Sequence, residues 1–250
     1  MVTKAFRRFE QRVDSYGADL ELCDLLVRSF IRRPNSASNL AIDLGTDAAR
    51  HPYLARRTNT LASRRICGSH LKSTLYTAFV KDLYEDFSEY LATIMANAAI
   101  KGVNPARFVG NIKLDLHATD ILSSGSWDGA VRTISDSIFR KLENERNTRD
   151  LIRKASDRLG LNVDQAALDA AMPYLDARHM LVHRDGKTDE QYRNDYPLVD
   201  LREQKIVVDF AFVSSAKGAV SGLAREIDDR LIAADLVRRQ DLGSGFITNR

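Results

Sequence analysis

The feature that most constrains this chain is a long run of apolar residues at helical spacing. Leu71, Leu75, Phe79, Leu83, Phe87, Tyr90, Leu91, Ile94 and Ala98 recur every three or four positions, which puts them on one stripe of a helix predicted over 66–101. Such a stripe is buried only if other elements pack along it. Gly102 and then Asn104-Pro105 stop the pattern. The same period recurs elsewhere. Phe6, Phe9, Val13 and Tyr16, continued by Leu20, Leu22, Leu25, Leu26 and Phe30, predict a helix over 3–32, with Gly17 as the place for a bend or a break and Pro34 beyond its end. Val131, Ile134, Ile138 and Leu142 predict another helix. So do Leu151, Ile152, Ala155 and Leu159, where Gly160 is the cap, and Leu168, Met172, Leu175 and Val182, which follow Asp164. Val213, Ala216, Val220, Leu223, Ile227 and Leu231 predict the last one. The one strand signal is Leu198–Leu201 and Ile206–Val208 around Arg202–Lys205. The fold expected is therefore all-α, an antiparallel helical bundle with a small β-hairpin before the C-terminal helix. No repeat, low-complexity tract or linker divides residues 1–250, so a single domain is expected, with a long basic loop over 34–62 and a mobile tail over 240–250.

Charge and cysteine usage narrow the class of protein. The net charge is +3, too small for a global field that demands nucleic acid, so local charge has to decide. Cys23 and Cys67 supply neither a disulfide framework nor a metal pattern and read as reduced thiols. Lys4-Ala5-Phe6-Arg7-Arg8-Phe9 lacks the apolar core of a signal peptide, and nothing approaches the roughly 20 apolar residues of a membrane span. A soluble, cytoplasmic protein is expected.

Local charge does concentrate. From Ala48 through Lys81 there is no acidic residue, while Arg50, Arg56, Arg57, Arg64, Arg65, Lys72 and Lys81 fall there with Tyr53 and Tyr76. Arg56, Arg57, Arg64 and Arg65 are candidates to meet an RNA backbone; a solvated loop paired with acids elsewhere explains the same composition.

The chemistry-bearing stretch is Ala177-Arg178-His179-Met180-Leu181-Val182-His183-Arg184-Asp185-Gly186. It sits where a helical pattern ends and an Asp-Gly turn begins. Pro173 upstream either kinks this helix or restarts it. His179 and His183 fall one turn apart near the apolar stripe, and Arg178 falls to its side. A guanidinium grips phosphate oxygens through a planar fork, and imidazoles move protons near neutral pH. That set suits a phosphodiester. A metal site joining His117 to the pair has no supporting spacing.

Arg178, four residues, then His183 at the end of a helix resembles the signature of the HEPN superfamily. The run His183-Arg184-Asp185-Gly186-Lys187-Thr188-Asp189 is similar to the continuation found in several bacterial HEPN families. The resemblance implies an all-α domain, covering the chain from about Leu71 to Leu236, and metal-independent RNA cleavage by the RNA's own 2′-hydroxyl. Arg178 would hold the phosphate, His183 would transfer protons, and His179 would orient the substrate or share the transfer; Arg184 joins the RNA contacts. Glu85 or Asp86 would steady Arg178. No cofactor or metal enters this scheme. The resemblance further implies a homodimer, with the apolar face around Met172 and Val182 as its interface, and a toxin or antiphage effector held by an antitoxin or regulatory protein. One departure concerns the tyrosine two residues after the histidine that modifying antitoxins target; Asp185 stands there. The alternative within the same resemblance is a non-catalytic module that binds RNA or protein.

Overall fold

The computed structural model describes residues 1–144 and 147–243. The fold is all-α with one small hairpin. In chain order the helices are α1 (Lys4–Arg32), α2 (Leu40–Asp43), α3 (Pro52–Ala55), α4 (Leu61–Lys101), α5 (Pro105–Val109), α6 (Ala118–Leu122), α7 (Trp127–Glu143), α8 (Thr148–Leu159), α9 (Gln165–His183), α10 (Glu190–Asp195) and α11 (Phe210–Ala233). Strands β1 (Leu201–Arg202) and β2 (Lys205–Ile206) pair antiparallel, Leu201 opposite Ile206. Glu203 and Gln204 both take positive φ, 51° and 63°, the two-residue turn whose twist suits a hairpin. Among the described residues no helix is long and apolar enough to cross a membrane.

The helix starts follow side-chain chemistry. Asn39, Asn104, Ser126, Asn147, Asp164 and Asp189 each accept a hydrogen bond from a backbone N–H of the helix they precede. Gly160, at φ +71°, ends α8 in the left-handed region that glycine tolerates best. Three local expectations change. Gly17 does not break α1. Residues 34–62, expected as loop with one short helix at most, hold two one-turn helices, tied by a bridge between Asn39 and Thr58. Near the other end, Leu242 pairs with Thr3 and the Gly243 N–H donates to the Val2 carbonyl; residues 244–250 of the expected tail lie outside the described residues.

By its contacts the chain divides into two compact units. The first comprises Met1–Asp14, Val80–Val207 and the chain from Ser215. Its core joins the rings of Phe6, Phe9, Phe87 and Tyr90 to Ile138, Leu142, Ile152, Leu159, Met172, Leu175, Leu223 and Ile227. A fully buried carboxylate, Asp228, accepts from the Thr3 backbone N–H (2.9 Å), the Thr3 hydroxyl (2.5 Å) and the Tyr90 hydroxyl (3.4 Å). The second unit comprises Ser15–Phe79 and Val208–Ser214. Val27, Leu40 and Tyr76 are buried in it, and Asp24 is held between Lys72 (2.5 Å) and Arg28 (2.8 Å).

Candidate active site

Helix α9 carries the site. Its core face buries Leu168, Ala171, Met172 and Leu175, and the adjacent face presents Asp176, His179 and His183 at positions i, i+3 and i+7. Pro173 lies inside the helix, which nevertheless runs unbroken from Gln165 to His183. The helix end is fixed tightly. The N–H groups of Arg184 and Gly186 both donate to the Met180 carbonyl, at 3.0 and 2.9 Å. Asp185 and Gly186 take φ of +52° and +77° to make that turn. The hairpin then clamps the turn: the Ile206 N–H donates to the Gly186 carbonyl, and the Thr188 N–H and hydroxyl donate to the Gln204 carbonyl. His183 therefore stands on backbone held from both sides.

The two histidines face a cavity of about 990 Å³. Tyr84 of α4, Thr148 and Arg149 at the start of α8, Asp176 and Arg178 of α9, and Tyr192 and Tyr196 of α10 and its end also line it. The imidazole centroids lie 5.0 Å apart, tilted by 49°. Neither ring has a hydrogen-bond partner among the described residues. Burial, followed by the neighbouring charges of His183, Arg184 and Arg178, holds His179 below the ordinary histidine range. At neutral pH it is a proton acceptor.

Arg178 is positioned by two groups. Its Nη2 donates to Glu85 Oε1 at 3.0 Å, and its guanidinium carbon lies 4.9 Å from the centre of the Tyr84 ring. Its Nε is buried and has no partner among the described residues. Glu85 is 63% exposed, so this pair orients the arginine more than it stabilises the fold. Burial raises the Tyr84 phenol above its usual range, leaving a neutral ring under the cation.

Of the two carboxylates expected near Arg178, Glu85 reaches it and Asp86 does not. Asp86 accepts from Arg12 at 2.6 Å, and its other oxygen is buried with no partner among the described residues. Arg184 donates to Asp189 at 2.8 Å and is not part of the cavity lining. Arg56, Arg57 and Arg65 are exposed in the second unit, with Arg56 over the Tyr53 ring at 5.5 Å. Arg64 does not belong with them. It is 2% exposed, and its guanidinium donates to the carbonyls of Ile31 and Pro34 and to the side chains of Asn35 and Asn59. An arginine used in this way is a tie for the 34–62 segment, with no face left for RNA. The interface expected around Met172 changes for a similar reason: Met172 is fully buried in the core of the chain, and only Val182 of that pair is exposed.

Tyr84, Arg149, Asp176 and Tyr196 are among the lining residues that reasoning from sequence passed over. Asp176 was within reach of it, since it lies one turn before His179 on the same face. The other three arrive from separate helices, and no spacing in the chain announces them. Among the described residues there is no group of three or more His, Cys, Asp or Glu side chains placed to hold a metal ion; His117 starts α6, away from the cavity lining.

Comparison with known proteins adds no relative: no family model, no curated protein and no solved structure matches the chain.

Proposed function

We propose that the cavity at the end of α9 is the active site of a metal-independent endoribonuclease of HEPN type. The observation that carries this reading is the convergence of Arg178, His179 and His183 on one cavity, with the imidazoles 5.0 Å apart. In the reaction the 2′-oxygen of RNA attacks the adjacent phosphorus and the bond from phosphorus to the 5′-oxygen breaks. A base takes the 2′-hydroxyl proton, and an acid delivers a proton to the departing 5′-oxygen. In the transition state both oxygens are partly bonded to the same phosphorus, on opposite sides of it, so two imidazoles a few ångströms apart can serve both. Neutral His179 suits the first transfer and His183 the second. Arg178 offers N–H groups to the negative charge that grows on the phosphate. The products are a 2′,3′-cyclic phosphate and a 5′-hydroxyl.

The same reading proposes a homodimer that sets two such motifs together, and a toxin or antiphage role under the restraint of an antitoxin or regulatory protein. A concentration-independent monomer mass in solution would remove the dimer from it. A second reading, a non-catalytic module for RNA or protein binding, is favoured by exposed Arg56, Arg57 and Arg65, with Arg56 over the Tyr53 ring. Substituting Arg178 or His183 separates the two. Cleavage of mixed cellular RNA collapses in an enzyme, whereas a binding module keeps its RNA affinity and depends on the exposed arginines instead.

A further inference from the structure

The histidine end of the cavity has the chemistry for a phosphate, and the opposite end has the chemistry for something else. Asp176 lies one turn before His179 and two turns before His183 on the same helix face. Seven residues of α-helix separate it from His183 by about 10 Å along the axis. Its carboxylate accepts from the Tyr196 hydroxyl at 2.5 Å and stands beside the Thr148 hydroxyl.

This carboxylate and its ring neighbour are braced. The Tyr196 ring meets Tyr192 edge to face with centroids 4.9 Å apart, and the Tyr192 hydroxyl donates to the Pro173 carbonyl at 2.8 Å. Arg149 is paired with Asp169 and also lies against the Tyr196 hydroxyl. A site made of side chains locked in this way keeps its geometry when a ligand arrives. Burial raises this carboxyl above the ordinary carboxylate range, against the hydrogen bonds from Tyr196 and Thr148 and the nearby Arg149 charge; its carboxylate form has about four acceptor positions, and Tyr196 and Thr148 occupy two. What remains is an acceptor pair at the wall of the cavity.

Two parallel N–H donors are the natural complement of a carboxylate. Among the nucleobases guanine presents them side by side, at N1 and the 2-amino group. Adenine and cytosine set an amino group beside a ring acceptor, and uracil flanks its single N–H with carbonyl oxygens that a carboxylate repels. The axial separation of Asp176 from His183 is comparable to the reach from the Watson–Crick edge of a nucleotide to its 3′-phosphate. One nucleotide would therefore span both ends of a cavity of about 990 Å³.

We propose that Asp176, steadied by Tyr196, forms a guanine-recognising subsite in the α9 cavity. Its consequence for cleavage, a cut on the 3′ side of guanosine, rests on the ribonuclease reading; its consequence for binding does not.

The test is calorimetric binding of guanosine, inosine and cytidine 3′-monophosphates to the full chain, without any cleavage step. Guanosine 3′-monophosphate is expected to bind at least tenfold more tightly than cytidine 3′-monophosphate. Inosine, which lacks the 2-amino group, is expected to lose about tenfold against guanosine. Asp176→Asn is expected to abolish both differences. Equal affinity for guanosine and cytidine, equal affinity for guanosine and inosine, or no binding of any of the three overturns the subsite. The inosine comparison uses the unaltered protein, so it decides the matter even if Asp176→Asn does not fold. Selective guanosine binding by a protein that leaves RNA intact keeps the subsite and removes the ribonuclease. Cleavage after every base, with no selectivity in binding, does the reverse.

Discussion

Arg64 and Arg178 are both arginines from stretches that read as contacts for phosphate, and their surroundings separate them. Arg64 is buried in the second unit with its donors directed at two backbone carbonyls and two asparagine side chains. Among the described residues Arg178 pairs with an exposed glutamate, rests on one ring, and has no partner for its Nε, beside two histidines. An arginine whose hydrogen-bonding capacity is taken up by its own backbone is a structural tie. An arginine with capacity left over in a cavity is available to a ligand. Positive charge in a sequence does not distinguish these cases, whereas the accounting of donors does.

The largest expected effect concerns the cavity. Arg178→Ala and His183→Ala should each lower RNA cleavage by about 10²–10⁴-fold, while thermal melting stays within the small range of substitutions at exposed positions, about 0.5 kcal/mol. If Arg178→Ala instead melts the protein, Arg178 is a tie like Arg64 and the distinction fails. Arg64→Ala should show the mirror image. It leaves Asn35, Asn59 and two carbonyls without their donor, at a cost of about 2–4 kcal/mol in denaturant unfolding, and the molecules that remain folded should cleave RNA normally.

A smaller effect comes from the exposed arginines. Removing Arg56, Arg57 and Arg65 together should flatten the dependence of RNA binding on salt by about 2 in logarithmic slope, each phosphate contact contributing roughly 0.7–0.9. Arg64→Ala should leave that slope as it was. An unchanged slope in the triple variant would show that the basic stretch plays no part in RNA binding.

The smallest effect is a change with pH, and it uses another buried group as a control. Burial raises the Asp228 carboxyl above its ordinary 3.8, against the hydrogen bonds from Thr3 and Tyr90. Between 3.8 and the raised value the folded protein holds more protons than the unfolded chain, so this group's contribution to stability falls as pH rises. Asp228→Asn should be less stable than the parent, by about 1–3 kcal/mol. The deficit should be greatest below the ordinary carboxylate range and should narrow as pH climbs through the raised one. Melting curves at several pH values check it; a deficit that grows with pH means the carboxylate is held ionised instead.

Much of this molecule is readable from its residues. Helical period alone places α1, α4, α7, α8, α9 and α11, because each has an apolar stripe long enough to outweigh local interruptions such as Gly17 and Pro173. The short helices α2, α3, α5 and α6 were not readable, since one turn has no period to detect. They depend on caps such as Asn39 and Asn104 and on contacts distant in sequence. At the site, Arg178, His179 and His183 share one helix end, so their spacing reveals them together. Tyr84 and Tyr196 reach the same cavity from α4 and the end of α10, and only the packed fold brings them there. The burial of Arg64 was hidden for a related reason. Its partners Ile31, Pro34, Asn35 and Asn59 carry no charge, so nothing in the pattern of charges marks the arginine as already engaged.

The central claim is that Arg178, His179 and His183 cleave RNA by its own 2′-hydroxyl. It is met most directly by incubating mixed RNA with the protein in EDTA, beside His183→Ala, and determining the new ends. Fragments ending in 2′,3′-cyclic phosphate and starting with 5′-hydroxyl, made by the parent and absent with the variant, are the expected result. Equal cleavage by the variant, or loss of all cleavage on adding EDTA, would contradict it.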